Sequence, residues 1–219
     1  MSRISVFSLR GGVRERNVQD MAKKATSKQA PRERLMRRAE DLFYKKGFSN
    51  TGVRDVIKGA RTVPATFYDH FPSKGDLGLA YLKVKADLLT RNLRTIIARH
   101  KSVRKVLHAW ADFKRGQIEA RKFLGCPVAG FAYQSGELSP AFQKEVGATA
   151  DHWHALLREF FQDAVSAGEL KPRTDCDELA RTVLMIYEGA LAMWKLTRDI
   201  RYIDDMEKSM LAAYESRRA

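Results

Sequence analysis

Cysteine is nearly missing from this sequence: Cys126 and Cys176 are the only two in 219 residues, far apart and in different predicted segments. With no CxxC and no Cys/His spacing, a zinc module and a disulfide framework are both excluded, and a reduced, cytoplasmic setting fits. Long apolar runs are missing too. No stretch approaches the roughly 18 apolar residues of a membrane span. Ile4, Val6, Phe7 and Leu9 are interrupted by serine and followed by Arg10-Gly11-Gly12, too broken for a secretory signal. There is no Ser-His-Asp order, no Gly-rich phosphate loop and no paired-carboxylate motif, so neither an enzyme nor a cofactor is expected. His152 and His154, two apart on a predicted helix, face nearly opposite sides, whereas metal ligation from one face needs a spacing of three or four.

Acidic residues are in short supply relative to basic ones. Forty Lys and Arg against 26 Asp and Glu leave a net charge of +14, which points to an anionic partner without specifying a fold. The excess is uneven: residues 1–80 hold seventeen basic and eight acidic side chains. Hydrophobic residues make up 44%, enough for a buried core in one large or two small domains.

The chemistry concentrates in Thr51 to Lys74. Val53, Val56, Ile57 and Ala60 fall on one helical stripe with Arg54, Asp55 and Lys58 facing out. Thr51 is the expected N-cap. After Ala60-Arg61, Thr62 is expected to cap a second helix with Pro64 in its first turn, where a missing N–H is harmless. Phe67 and Phe71 point inward and Ala65, Thr66, Tyr68, Asp69 and His70 lie nearer the open side. Two short helices with a tight connection read as a helix-turn-helix. Upstream, Leu35, Ala39, Leu42 and Phe43 mark a helix from Pro31 to Lys46, closed by Gly47 as a left-handed cap. Arg32, Arg34, Arg37 and Arg38 crowd its start, where the helix dipole disfavours cations; nearby phosphates or a solvated basic face both account for them.

The rest of the chain reads as helices with short breaks and no strand or internal repeat. Ser73 and Asp76 have capping-box spacing at the start of a long helix whose stripe is Leu77, Tyr81, Val84 and Leu88. Further helices are expected over Ser102 to about Phe123, Pro127 to Tyr133, Pro140 to Ala167, from Asp175 through Trp194, and at Tyr202 to Tyr214. The fold class is therefore all-α, an N-terminal three-helix head joined to a helical body. Three parts are expected: a basic, mostly mobile arm over 1–30, a DNA-binding domain over 31–75, and a ligand-binding, dimerising domain over 76–219. The arm can follow a phosphate backbone or minor groove, or be only a solvated tail.

The run Ala65-Thr66-Phe67-Tyr68-Asp69-His70-Phe71-Pro72-Ser73-Lys74, preceded by Lys46-Gly47-Phe48, resembles the tetracycline-repressor-like (TetR) family of bacterial transcription regulators. The resemblance implies DNA contacts by Thr66, Tyr68 and His70, phosphate contacts by Lys74 and Thr51, and base-facing positions at Val63, Pro64 and Ala65, with Arg54 and Thr62 beside them. It also implies that the helix after Ser73 couples ligand binding to the head. The segments GCPVAGFAYQSGELSPAF and LARTVLMIYEGALAMWK are similar, more loosely, to a subgroup responding to small electrophilic or unsaturated compounds.

For the body, Trp110, Phe113, Phe131 and Tyr187 are candidate pocket walls, though aromatics at helical spacing also serve as plain core. Cys126, after a glycine and before a proline, reads either as a thiol sensor or as a small buried hydrophobe. Trp153, Leu157, Phe160, Val183, Ile186 and Ala190 are candidates for a dimer surface. The function expected is a ligand-responsive regulator, a repressor by family prior, that binds a pseudo-palindromic operator in double-stranded DNA as a homodimer and is released by a small molecule. The competing expectation is an architectural DNA binder that senses nothing.

Overall fold

Helix starts in this chain are set by short polar side chains at the expected places. Ser73 Oγ accepts the Asp76 N–H at 3.1 Å and donates to its carboxylate at 2.7 Å, a side-chain N-cap in which Asp76 meets the Ser73 hydroxyl rather than its backbone N–H. Asp175 accepts from the N–H groups of Asp177 and Glu178, and Ser102 and Ser139 cap the helices that follow them. In the computed structural model, which describes residues 30–135 and 139–219, these signals open four of the nine helices, and there is no strand among the described residues; Leu170 and Arg218 form one isolated bridge. The basic arm expected over 1–30 lies almost wholly outside the described residues.

The head comprises α1 (Pro31–Lys46), α2 (Val53–Gly59) and α3 (Pro64–His70). Leu35, Ala39, Leu42 and Phe43 of α1 are buried against Val56 and Ile57 of α2 and Phe67 of α3. Phe67 and Phe71 are 0% and 3% exposed, each stabilising the head by about 1.5–3 kcal/mol of burial. Two capping expectations are corrected. The N-cap of α2 is Gly52, whose N–H donates to Asp55, and that of α3 is Val63. Thr51 is instead buried, its hydroxyl donating to the Gly47 carbonyl at 2.7 Å. Gly47 ends α1 at φ 91°, ψ 157°, outside the left-handed helical region named in the sequence reading but still open chiefly to glycine. A Cβ there would also lie 2.1 Å from Gln134 Oε1.

The body comprises α4 (Lys74–Arg99), α5 (Val103–Glu119), α6 (Pro127–Gln134), α7 (Pro140–Ser166), α8 (Cys176–Thr197) and α9 (Arg201–Glu215). Helix α4 touches α1, α5, α6 and α7, so it runs from the head into the middle of the body. Its inward face differs from the predicted stripe. Leu77 and Tyr81 are buried as expected, but Val84 and Leu88 are exposed and the buried line continues through Leu82 and Leu93. The predicted period holds through Tyr81, after which the buried line is displaced by one residue. Helix α5 stops at Glu119 rather than near Phe123, with Arg121 turned to φ 54°.

Head and body meet at an aromatic seam. Phe131 of α6 lies among Phe48 (4.8 Å between centroids), Phe142 (5.1 Å), Tyr81 (5.8 Å) and Phe43 (6.5 Å). The close approach requires glycine at 78, where a Cβ would lie 2.8 Å from the Phe48 ring. At the seam's edge the Tyr44 hydroxyl donates to the Gly125 carbonyl (2.9 Å) and accepts the Leu124 N–H (2.8 Å). Lys85 pairs with Glu40 across it at 2.5 Å.

Candidate functional sites

The first candidate site is the outer face of α3. Because Phe67 and Phe71 anchor the helix inward, the residues between them are turned to solvent: Tyr68 is 54% exposed, its ring edge-on to Phe67, and Asp69 and His70 are exposed. Val63, Pro64 and Ala65 lead the same helix and are exposed, and Thr66 is half-buried. Arg54 is exposed on α2, while Thr62 is half-buried in the turn. Thr51 is the outlier, since its hydroxyl is already used inside the head. Lys74 is also engaged: its ammonium sits 4.4 Å over the Phe48 ring and reaches the Ser49 carbonyl at 3.4 Å.

A basic cleft missed by the residue-by-residue reading lies behind the turn. Arg34, Arg37, Arg38 and Arg61 surround it with Asp41. Arg61 holds φ 52° in the turn between α2 and α3, a left-handed position where glycine costs least. The guanidinium there adds a fourth positive charge to the cleft. The signal available in sequence was the arginine spacing on α1, which was noted; the turn's contribution depends on how α2 meets α1.

Two spaces in the body bear on the expected pocket residues. The first is a small cavity of about 20 Å³ among α4, α5, α7 and α8, lined by Trp110, Phe113, Lys114, Trp153, Leu184 and Tyr187 among others. Trp110 and Tyr187 stack at 4.4 Å, and the Trp153 indole donates to Thr90 Oγ1 at 2.9 Å. The second is an open groove of about 480 Å³ between α6 and α8, with Cys126, Ala129, Tyr133, Glu188, Leu191 and Lys195 in its walls. Of the five pocket residues expected, Trp110, Phe113 and Tyr187 come together in the first space, Cys126 belongs to the second, and Phe131 lines neither. Phe131 is corrected to a seam residue: the aromatic density that suggested a ligand wall is spent joining body to head.

Cys126 is buried, hydrogen-bonded to Glu188 and to backbone at Val128 and Ala129. Burial, helped by the Glu188 charge, pushes its thiol far above the ordinary range, opposite to what a reactive thiolate needs. A thiol held so far above its ordinary range carries very little thiolate near neutral pH. Iodoacetamide at pH 7.5 should therefore alkylate Cys126 more than tenfold more slowly in the folded protein than in urea, followed by mass spectrometry; comparable rates would show an open, activated thiol.

Of the six expected interface residues, Leu157 and Val183 are 0% exposed within one chain and are corrected to core, unable to meet a second molecule. Trp153 is held in the small cavity, and Phe160, Ile186 and Ala190 are half-buried. The exposed apolar stripe is elsewhere on α8: Met185 (67%), Met193 (37%) and Leu196 (78%), with Gly189 between them facing open space.

A metal has one cluster of donors among the described residues, His108, Asp112 and Glu207. Arg115 already bonds Asp112, Asp204 and Glu207 there. That guanidinium fills the place a cation would take, and the Glu207 hydrogen bond raises the His108 pKa. The cluster ties α5 to α9. His152 is exposed and His154 bonds to Asp177, so the two do not converge. No helix of the described residues is long and apolar enough to cross a membrane.

Residues 35–81 match the profile of bacterial regulatory proteins of the tetR family, and residues 100–210 match the tetracyclin repressor-like C-terminal domain. The chain belongs to the TetR family. A TetR-family regulator combines a DNA-binding helix-turn-helix with a C-terminal ligand-binding domain, and homodimers are typical of the family. Among curated relatives, the transcriptional regulator AcuR of Cereibacter sphaeroides is 26% identical over 164 residues, 74% of this chain and 75% of that protein. The HTH-type transcriptional repressor DhaR of a Mycobacterium species is 23% identical over 175 residues, 79% and 86% of the two. A solved TetR-family regulator from Cytophaga hutchinsonii superposes with a TM-score of 0.79 at 18% identity, covering 86% of this chain and 94% of that one. That last likeness is one of fold.

Proposed function

We propose that this protein is a ligand-responsive transcriptional repressor that binds a pseudo-palindromic operator as a homodimer and leaves it when a small molecule occupies the body. The observation that carries this reading is the pairing of an open α3 face with an aromatic seam that ties the head to α6 and to α4, the helix that also lines the small cavity of the body. The head ends near residue 75 and the body takes the rest. Helix α3 enters a major groove, with Tyr68, Thr66 and His70 toward DNA and Arg34, Arg37, Arg38 and Arg61 toward phosphates. Val63 and Ala65 offer only apolar contact, so thymine methyls and DNA shape carry much of the readout. Two copies paired through the α8 stripe set the spacing of half-sites at about one helical turn or a multiple of it.

Ligand acts by favouring a body conformation in which α6 and α4 no longer hold the two heads at operator spacing, which requires different affinities in the two states. A small electrophile acting at Cys126 is the effector class that the thiol's burial supports least.

Footprinting the purified protein on DNA upstream of its own coding sequence, with and without candidate effectors, tests the whole reading. Protection of a symmetric site that disappears with an effector is the expected result. Salt-sensitive protection without sequence preference would point to an architectural binder. Tyr68→Ala should weaken operator binding by roughly tenfold, in line with about 1–3 kcal/mol for a good base-reading contact, while leaving the thermal midpoint in place because the ring is largely solvated. Unchanged affinity in a mobility-shift titration would remove Tyr68 from the interface.

A further inference from the structure

One buried charge is left over once the head, the seam and the ion clusters are accounted for. Lys114, on α5, is 2% exposed, and among the described residues no carboxylate lies within 4 Å of its ammonium. Its one hydrogen bond runs to Gln117 Oε1 at 3.3 Å, so two of its three N–H donors have no oxygen partner. Around it stand the rings of Phe123 (5.1 Å), Phe113 (5.4 Å) and Tyr187 (5.5 Å). Rings stabilise a cation less than an anion does, and burial lowers the ammonium's pKa to about 8. Glu188 feels the Lys114 charge and offsets it in part, but the two make no ion pair: one Glu188 oxygen is buried with no hydrogen-bond partner, and burial raises its pKa. A buried ammonium in this state costs stability, and the Lys114 side chain lines the cavity shared by Trp110, Phe113, Trp153, Leu184 and Tyr187.

We propose that Lys114 is the anchor of the effector site and that the effector is a small organic acid, its carboxylate bound by the Lys114 ammonium and its apolar or unsaturated body held against Trp110, Tyr187 and Trp153. This rests on the ligand-responsive reading above and names its ligand class. The carboxylate supplies the acceptor oxygens that the protein withholds, and the aromatic walls supply the apolar contact that a hydrated inorganic anion would not reward. With about 20 Å³ free in that cavity, room for roughly one water, the acid enters by spreading α5 from α7 and α8. The bound form is thereby a different conformation from the empty one, which is what an effector must select.

The probes are propionate, crotonate and benzoate, each beside its neutral amide, against the full-length protein, Lys114→Met and Lys114→Gln. Binding is read from tryptophan fluorescence, since Trp110 and Trp153 line the cavity, and by calorimetry; operator binding is measured separately. At least one acid is expected to bind the parent protein, its amide at least tenfold more weakly, and both Lys114 variants at least tenfold more weakly, with operator affinity unchanged in the absence of ligand. Lys114→Met is expected to fold, because an apolar isostere relieves the desolvation of the charge; Lys114→Gln provides a second reading if it does not. Equal binding of acid and amide, equal binding by the variants, or no binding of any acid at millimolar concentration overturns the proposal. Operator release by a neutral compound, equally from parent and variants, would leave the regulator reading standing and the carboxylate anchor refuted. Acid binding by a protein that protects no operator would do the reverse.

Discussion

Phe131→Ala should melt roughly 6–20 °C below the parent protein, the largest loss expected from any single truncation at the seam. The ring is 4% exposed and lies within 6.5 Å of four other aromatic rings, two from the head side of the seam and two from α4 and α7. Removing a buried phenylalanine costs about 3–5 kcal/mol, transfer and cavity together, and a domain of this size loses about 2–4 °C per kcal/mol. Collapse cannot heal the gap cheaply, because Gly78 already lets Phe48 and Phe142 approach α4 as closely as backbone allows. A functional effect should accompany the thermal one. With the head no longer keyed to α6, the ratio of operator affinities with and without effector should shrink toward one. Calorimetric melting and a paired operator titration measure both; a midpoint within about 2 °C of the parent would show that the seam is not a packed unit.

The second large effect concerns assembly. Met185→Glu combined with Leu196→Glu should convert the dimer to monomer and lower operator affinity by roughly 10²–10⁴, the advantage that linking two binding modules confers. Both side chains are more than two-thirds exposed on one face of α8, so charge there should cost the single chain little, whereas in a helix-helix interface it would be buried without a partner. Sedimentation gives the mass and a mobility-shift titration the affinity. A double variant that still sediments as a dimer would place the interface on another face.

The head was legible from sequence because its determinants are local. The stripe of Val53, Val56, Ile57 and Ala60, the Ser73 cap and the inward pair Phe67 and Phe71 each depend on neighbours within one turn, and all recur in the structure. Thr51 and Thr62 failed as caps for a local reason too: each is one residue early, because the hydroxyl of Thr51 is drawn to Gly47 before the helix begins. The body was legible only as a list of helices. On α8, Val183, Tyr187, Leu191 and Trp194 form one apolar stripe and Met185, Met193 and Leu196 another. Periodicity separates the two stripes but says nothing about which faces the core, so Val183 was assigned outward. Phe131 and Phe113 are likewise indistinguishable by spacing, yet one joins the head and the other borders a cavity. Lys114 gave no signal, since a lysine on an amphipathic helix reads as solvated unless the helices packed over it are known.

Tyr44 bears on timing. Its hydroxyl makes two hydrogen bonds at once to the loop before α6, one as donor and one as acceptor. A rotation of the head would stretch both together, at a cost of about 1–3 kcal/mol for each group left unsatisfied. The head should exchange between latched and unlatched populations over a barrier, visible as relaxation dispersion of the Leu124 and Gly125 amides on the microsecond to millisecond scale, and Tyr44→Phe should make that exchange faster.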